Sequence, residues 1–198
     1  MALQTCLGVA CSPRKNGNTG ILMRTALDTL GSLGVETKAV YLADLEILPC
    51  LACDGCHREG RCVLKDGAGP LYEQLLKADM IVLAAPIFSL GLCAQAKAFI
   101  DRAQQFWATR YILRRPVIED EIFRKSRRGI FISVAGSNLP GVFDGALQVA
   151  GYFFKMIDFR LAGAYCYPGV DKKGEILSHG PALQEIREAA AKMAAAEA

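Results

Sequence analysis

Short apolar runs rich in β-branched residues alternate along this chain with longer stretches of helical period, an order that a parallel sheet with crossover helices on both faces satisfies. The runs are Thr5 to Ala10, Glu36 to Tyr41, Met80 to Ala85, Gly129 to Val134 and Leu161 to Cys166. Helical candidates lie between them at Gly20 to Leu33, Leu71 to Lys77, Ala94 to Thr109 and Val142 to Ile157. An alanine-rich closing helix is expected from about Pro181 to Glu197. The pattern predicts an α/β doubly wound sheet of five parallel strands. At 198 residues, 52% of them apolar, the chain suits one well-buried domain, and residues 1–198 read as a single one. The remaining irregular stretches, the cysteine-rich loop at about 49–67 and residues 110–128, are then insertions at strand ends.

Four of the eight cysteines, Cys50, Cys53, Cys56 and Cys62, fall inside one short irregular stretch. Their C-x2-C-x2-C-x5-C spacing lets successive sulfurs turn toward one centre, and its opening matches the bacterial ferredoxin run. The fourth cysteine comes two residues later than in that run, and no proline follows it. The loop therefore reads as a socket for an iron-sulfur cluster. Structural zinc, a disulfide framework and an empty thiol loop are the competing readings. Cys6, Cys93 and Cys166 sit in apolar company, where buried inert thiols are the rule.

The first strand runs into Cys11-Ser12-Pro13-Arg14-Lys15-Asn16-Gly17-Asn18-Thr19, after which a helix opens. In an open parallel sheet, ligands sit beyond the carboxyl ends of the strands, where a helix N-terminus offers free N–H groups and partial positive charge. A phosphate fits such a loop. Ser12, Asn16, Asn18 and Thr19 offer short donors, and Arg14 or Lys15 offers charge. Neither G-x-G-x-x-G nor G-x-x-x-x-G-K-[ST] is present, which disfavours a dinucleotide or ATP here. An ordinary capped turn is the plainer alternative.

Other classes find little support. The net charge of +3 is mild, so nucleic-acid binding is not expected. The longest apolar run, Met80 to Pro86, is too short to cross a bilayer, and the first residues lack the basic start of a signal peptide. A soluble, cytoplasmic protein is expected. No G-x-S-x-G elbow occurs, and the two histidines, His57 and His179, are far apart in sequence. Basic residues concentrate in 110–128, a segment suited to an acidic partner or simply solvated and balanced by Glu119, Asp120 and Glu121.

The stretch Ser12 to Thr19 resembles the phosphate loop of the flavodoxin-like NADPH-dependent FMN reductases. Together with Pro49-Cys50-x2-Cys53-x2-Cys56-x5-Cys62, Ala78-Asp79, Pro86-Ile87-Phe88 and Lys97 to Arg102, it is similar to the iron-sulfur flavoprotein branch of that family. Cys11 stands where the family usually has glycine, and Asp66-Gly67 replaces a frequent acidic pair. The resemblance implies a sheet order of 2-1-3-4-5 and FMN held by its phosphate at Ser12, Arg14, Asn16, Asn18 and Thr19. The flavin ring would rest on Pro86, Ile87, Phe88, Ser89, Leu90 and Gly91 and be closed by Ala135, Gly136, Ser137 and Asn138. These segments also follow strands at their carboxyl ends, which agrees independently. Phe88 contacts the ring or wedges into the surface. The resemblance further implies a [4Fe-4S] cluster on Cys50, Cys53, Cys56 and Cys62. It also implies electrons from NAD(P)H or a ferredoxin-type carrier, and a homodimer or homotetramer. No protein nucleophile is required, because the flavin carries the electrons. A cluster-free FMN or quinone reductase and a zinc-stabilised thiol sensor are the alternatives.

Overall fold

The computed structural model describes residues 3–195, so the expected helix end at Glu197 lies outside the described residues. The strands are β1 (Thr5–Ala10), β2 (Glu36–Tyr41), β3 (Met80–Phe88), β4 (Gly91–Leu92), β5 (Arg128–Val134) and β6 (Arg160–Tyr167). Five run parallel in the order β2-β1-β3-β5-β6. The two-residue β4 pairs antiparallel with the end of β3, through Ile87 with Leu92 and Phe88 with Gly91. The sheet therefore has six strands where five were expected. The parallel part keeps the expected 2-1-3-4-5 arrangement once β4 is set aside.

Strand alternation divides the core. Along β3, Ile81, Leu83 and Ala85 pack with Leu71, Leu75, Phe99 and Phe153 on one face. Met80, Val82 and Ala84 pack with Leu22, Met23, Ile186 and Ala190 on the other. Every residue from Met80 to Ala85 is buried, which is why this strand reads as a continuous apolar run. Fully burying one such side chain contributes about 1.5–3 kcal/mol. The faces are covered by α1 (Asn18–Ser32) and α8 (Ala182–Ala195) on one side, and by α3 (Ala68–Lys77), α4 (Ala94–Asp101) and α7 (Asp144–Met156) on the other.

The expected helix Ala94 to Thr109 is broken. It divides into α4, the short α5 (Gln104–Trp107) and a π-helical turn at Ala108–Ile112. The break falls at Arg102, which is 1% exposed and reaches sideways to the Leu48 carbonyl at 2.9 Å and the Asp66 carboxylate at 2.6 and 3.2 Å. The 110–128 insertion is also more regular than expected. It contains α6 (Glu121–Ser126), capped by Asp120 accepting from the Phe123 N–H at 3.0 Å.

Candidate cofactor site

Gly17 precedes α1 and makes no side-chain cap, so the first N–H groups of this 15-residue helix lack the usual side-chain partner. A Cβ on Gly17 would lie 3.0 Å from the Arg14 carbonyl and 3.3 Å from Ser12 Oγ, so the loop closes tightly only with glycine. Thr19, 1% exposed, has a buried hydroxyl without any partner. A buried donor left alone costs about 1–3 kcal/mol, so it marks a place made for something else.

A cavity opens above these groups. Ser12, Arg14, Gly17, Asn18 and Thr19 line it from the β1 side, Pro86, Ile87 and Phe88 from β3, and Val134 and Gly136 from β5. Its volume of about 60 Å³ is phosphate-sized rather than ring-sized. A flavin ring would lie outside it, and the adjoining hairpin begins at Phe88, which lines the cavity. There Ser89 and Leu90 both have positive φ, 49° and 63°, as a two-residue turn between β3 and β4 demands. Phe88 and Leu90 stand 47% and 62% exposed at the tip. Phe88 therefore stands at the rim of the cavity.

Not every residue of the expected set meets the cavity. Asn16 is exposed and lies outside its lining, as do Ser89, Leu90, Gly91, Ala135 and Ser137. Ala135 is buried and ties β5 to the loop after β6, donating to the Tyr167 carbonyl at 3.1 Å and accepting from Val170 N–H at 2.9 Å. Lys15 pairs with Asp44.

Asn18 has another use. Its Nδ2 donates to the Lys172 carbonyl at 3.0 Å, and its Oδ1 accepts from the N–H groups of Gly174 at 2.9 Å and Ile176 at 3.4 Å. The side chain thus latches the loop after β6 to the start of α1. Glu175 braces the same loop by accepting from the N–H groups of Asp171 and Lys172, both at 2.8 Å, and those donors hold its carboxyl below the usual range. The latched loop places Val170, Asp171 and Lys173 in the cavity wall. The sequence reading missed all three. The one available signal was their position after the carboxyl end of a strand.

Beyond β2, the cysteine loop runs to α3. Cys50, Cys56 and Cys62 are half-buried and Cys53 is exposed. Ala52 and Asp54 have positive φ, 50° and 56°, and the short α2 (Cys56–Glu59) ends on Gly60 at φ 75°. Burial, and then the neighbouring thiols of Cys62, Cys50 and Cys53, push the Cys56 thiol up. The four sulfurs therefore share one neighbourhood. Among the described residues, no three Cys, His, Asp or Glu side chains stand at metal-holding distance. The donor set, four thiols in one loop, nonetheless suits a cluster.

The loop's far end is fixed firmly. Asp66 accepts from Arg102 and from the N–H groups of Leu48 and Ala68 at 2.8 and 3.0 Å. Burial pushes its carboxyl up, but Arg102 and the two N–H groups outweigh that and hold it below the usual range. Elsewhere, Cys6 and Cys93 are buried, and burial raises the half-buried Cys166 to about 11, as expected for inert thiols.

Known proteins share this arrangement. The family model for NADPH-dependent FMN reductase matches residues 5–158. The chain belongs to that family. An iron-sulfur flavoprotein of Archaeoglobus fulgidus is 34% identical over 160 residues, covering 75% of this chain and 76% of its own, which places the chain in the iron-sulfur flavoprotein branch. An iron-sulfur flavoprotein of Methanocaldococcus jannaschii is 38% identical over 98 residues, but the match spans only 50% of this chain and 51% of that one. Against the Methanosarcina thermophila iron-sulfur flavoprotein the chain covers 64% of the relative's length. Among solved structures, an azoreductase from Bacillus anthracis superposes with a TM-score of 0.71 at 17% identity, covering 96% of this chain and all of that one. At that identity the likeness speaks for the fold alone. No helix among the described residues is long and apolar enough to cross a membrane.

Proposed function

We propose that this chain is a flavin-dependent oxidoreductase that holds FMN by its phosphate at the start of α1. The observation that carries the reading is the uncapped N-terminus of α1 with the unpartnered Thr19 hydroxyl beneath it, inside a cavity walled by the carboxyl ends of the parallel strands. FMN, when bound, supplies the two-electron chemistry that no side chain here provides. The chain's own work is positional. The N–H groups at the start of α1 and the Thr19 hydroxyl would hold the phosphate, and Arg14 and Lys173 would supply the positive charge that Lys15, held by Asp44, does not. Asn18 keeps the Lys173 loop in place, and the Phe88–Leu90 tip offers an apolar support for the ring.

The finer reading adds a [4Fe-4S] cluster on Cys50, Cys53, Cys56 and Cys62, with NAD(P)H or a ferredoxin-type protein as electron source. The relatives' names and the shared neighbourhood of the four sulfurs support it. A second subunit covering the exposed Phe88 and Leu90 is part of the same proposal. Protein purified without oxygen should contain flavin, iron and acid-labile sulfide, the last two in equal amounts. Flavin without iron would leave a cluster-free reductase, and colourless protein holding zinc would favour a thiol sensor.

A further inference from the structure

Beside the basic residues of 110–128 the sequence carries Glu119, Asp120 and Glu121, which looked sufficient to balance them. None of the three acidic residues lines the basic depressions, although Glu121 stays beside Lys125 and Arg124. Asp120 is spent capping α6, Glu121 pairs with Lys125 at 2.7 Å, and Glu119 lines a different cavity, with Cys62 and Tyr72. In their place the fold brings Lys155 from α7 and Arg160 from β6 next to the arginines.

The result is a pair of adjoining depressions of about 410 Å³ each, sharing Arg110, Arg124 and Asp158. Arg114 belongs to one, Lys155 and Arg160 to the other. Asp158 is the one carboxylate in either lining, and Arg110 already holds it at 2.6 Å. The depression that holds Lys155 and Arg160 has an apolar floor, formed by the buried rings of Phe154 and Phe159. Below it the Arg127 guanidinium is buried 3.7 Å from the Phe159 ring centre, its donors committed to the Ala78, Ile157 and Leu75 carbonyls. It lines the depression with three of its N–H groups already committed, and so contributes mainly positive field. For a chain with a net charge of only +3, this excess is strongly local. Like charges gathered in a concave surface repel one another and focus potential on whatever anion enters.

The backbone is unusual at the same place. Arg110 lies in the π-helical turn, and Arg114 and Asp158 hold positive φ, 53° and 58°. Such conformations are uncommon for residues other than glycine and gather at functional sites. The depressions lie where β5 and β6 begin, at the opposite end of the sheet from Ser12 to Thr19. The FMN phosphate is therefore not their occupant.

We propose that these depressions form a second anion site, taking a small molecule with two or more phosphate or carboxylate groups. Two linked hollows with a shared arginine wall suit separated anionic groups, and the aromatic floor of one of them suits an apolar part of the same molecule. Arg160 and Lys155 are exposed, so replacing them leaves the core intact.

The test is calorimetric titration of inorganic tripolyphosphate into protein saturated with FMN, which keeps the α1 loop from competing. Wild type, the double variant Lys155→Ala/Arg160→Ala and the control Lys77→Ala are compared at low salt, about 50 mM, where screening is weak. The proposal predicts at least a ~10-fold weaker affinity for the double variant, with Lys77→Ala unchanged. Equal affinities for wild type and double variant, or no binding by wild type, overturn it. Retention on heparin without tripolyphosphate binding also overturns it, because the surface then serves a macromolecular polyanion. A failure of FMN to bind shows separately, as no flavin retained by the protein on gel filtration, and the difference between wild type and double variant then still reports this site, because Lys155 and Arg160 lie at the other end of the sheet from the α1 loop.

Discussion

Thr19 separates a folding role from a ligand role. Its hydroxyl is buried with no partner, so Thr19→Val removes an unmet donor and keeps the shape. Folding stability should stay level or rise by up to ~1 kcal/mol while FMN affinity falls about tenfold. Thermal unfolding and flavin fluorescence titration read the two effects separately. A loss of stability would mean that the hydroxyl serves the fold. Lys173→Ala should weaken FMN by a similar factor of about ten yet leave riboflavin, which has no phosphate, unaffected, whereas Lys15→Ala should change neither. Phosphate loops are legible in sequence because hydroxyl and amide residues cluster between a strand and a helix. Lys173 was not legible, because Val170-Asp171-Lys172-Lys173 has no such clustering and enters the wall only through the Asn18 latch.

Among the elements, the cysteine loop and α4 are joined by one buried ion pair, Arg102 with Asp66, 1% and 4% exposed. Breaking it by Arg102→Ala strands a buried carboxylate and should cost about 3–5 kcal/mol in chemical denaturation. The pair also sets an acid limit. Because the folded Asp66 carboxyl lies below its unfolded value of about 3.9, its contribution is complete above that pH and is lost as pH falls through the folded value. Hydrogen exchange in 45–67 should accelerate at that acid edge before it does in β3, and simultaneous acceleration would contradict the assignment. Arg102 also explains why the helix expected from Ala94 to Thr109 breaks. Its apolar period is continuous, but a buried arginine committed sideways to Asp66 and Leu48 ends α4 at Asp101. Nor was β4 legible, since two residues carry no period and its only hint was the turn at Ser89 and Leu90.

At the scale of the whole molecule, β1, β3 and β5 were readable because they are buried almost throughout and appear as apolar runs, whereas the edge strands β2 and β6 are only partly buried and were readable from their place between helical stretches. That order carries the strand ends that wall the cofactor cavity to one end of the sheet and the basic depressions to the other. What the sequence could not show was how residues far apart share a wall, as Asn18 does with Lys172 and Arg110 with Asp158. The central claim is that the start of α1 binds the phosphate and so discriminates FMN from riboflavin. The decisive measurement is the ratio of their dissociation constants by fluorescence titration of the apoprotein. With helix N–H groups and two cations facing a dianion, FMN should bind about a hundredfold more tightly, and equal affinities for the two flavins would contradict the account.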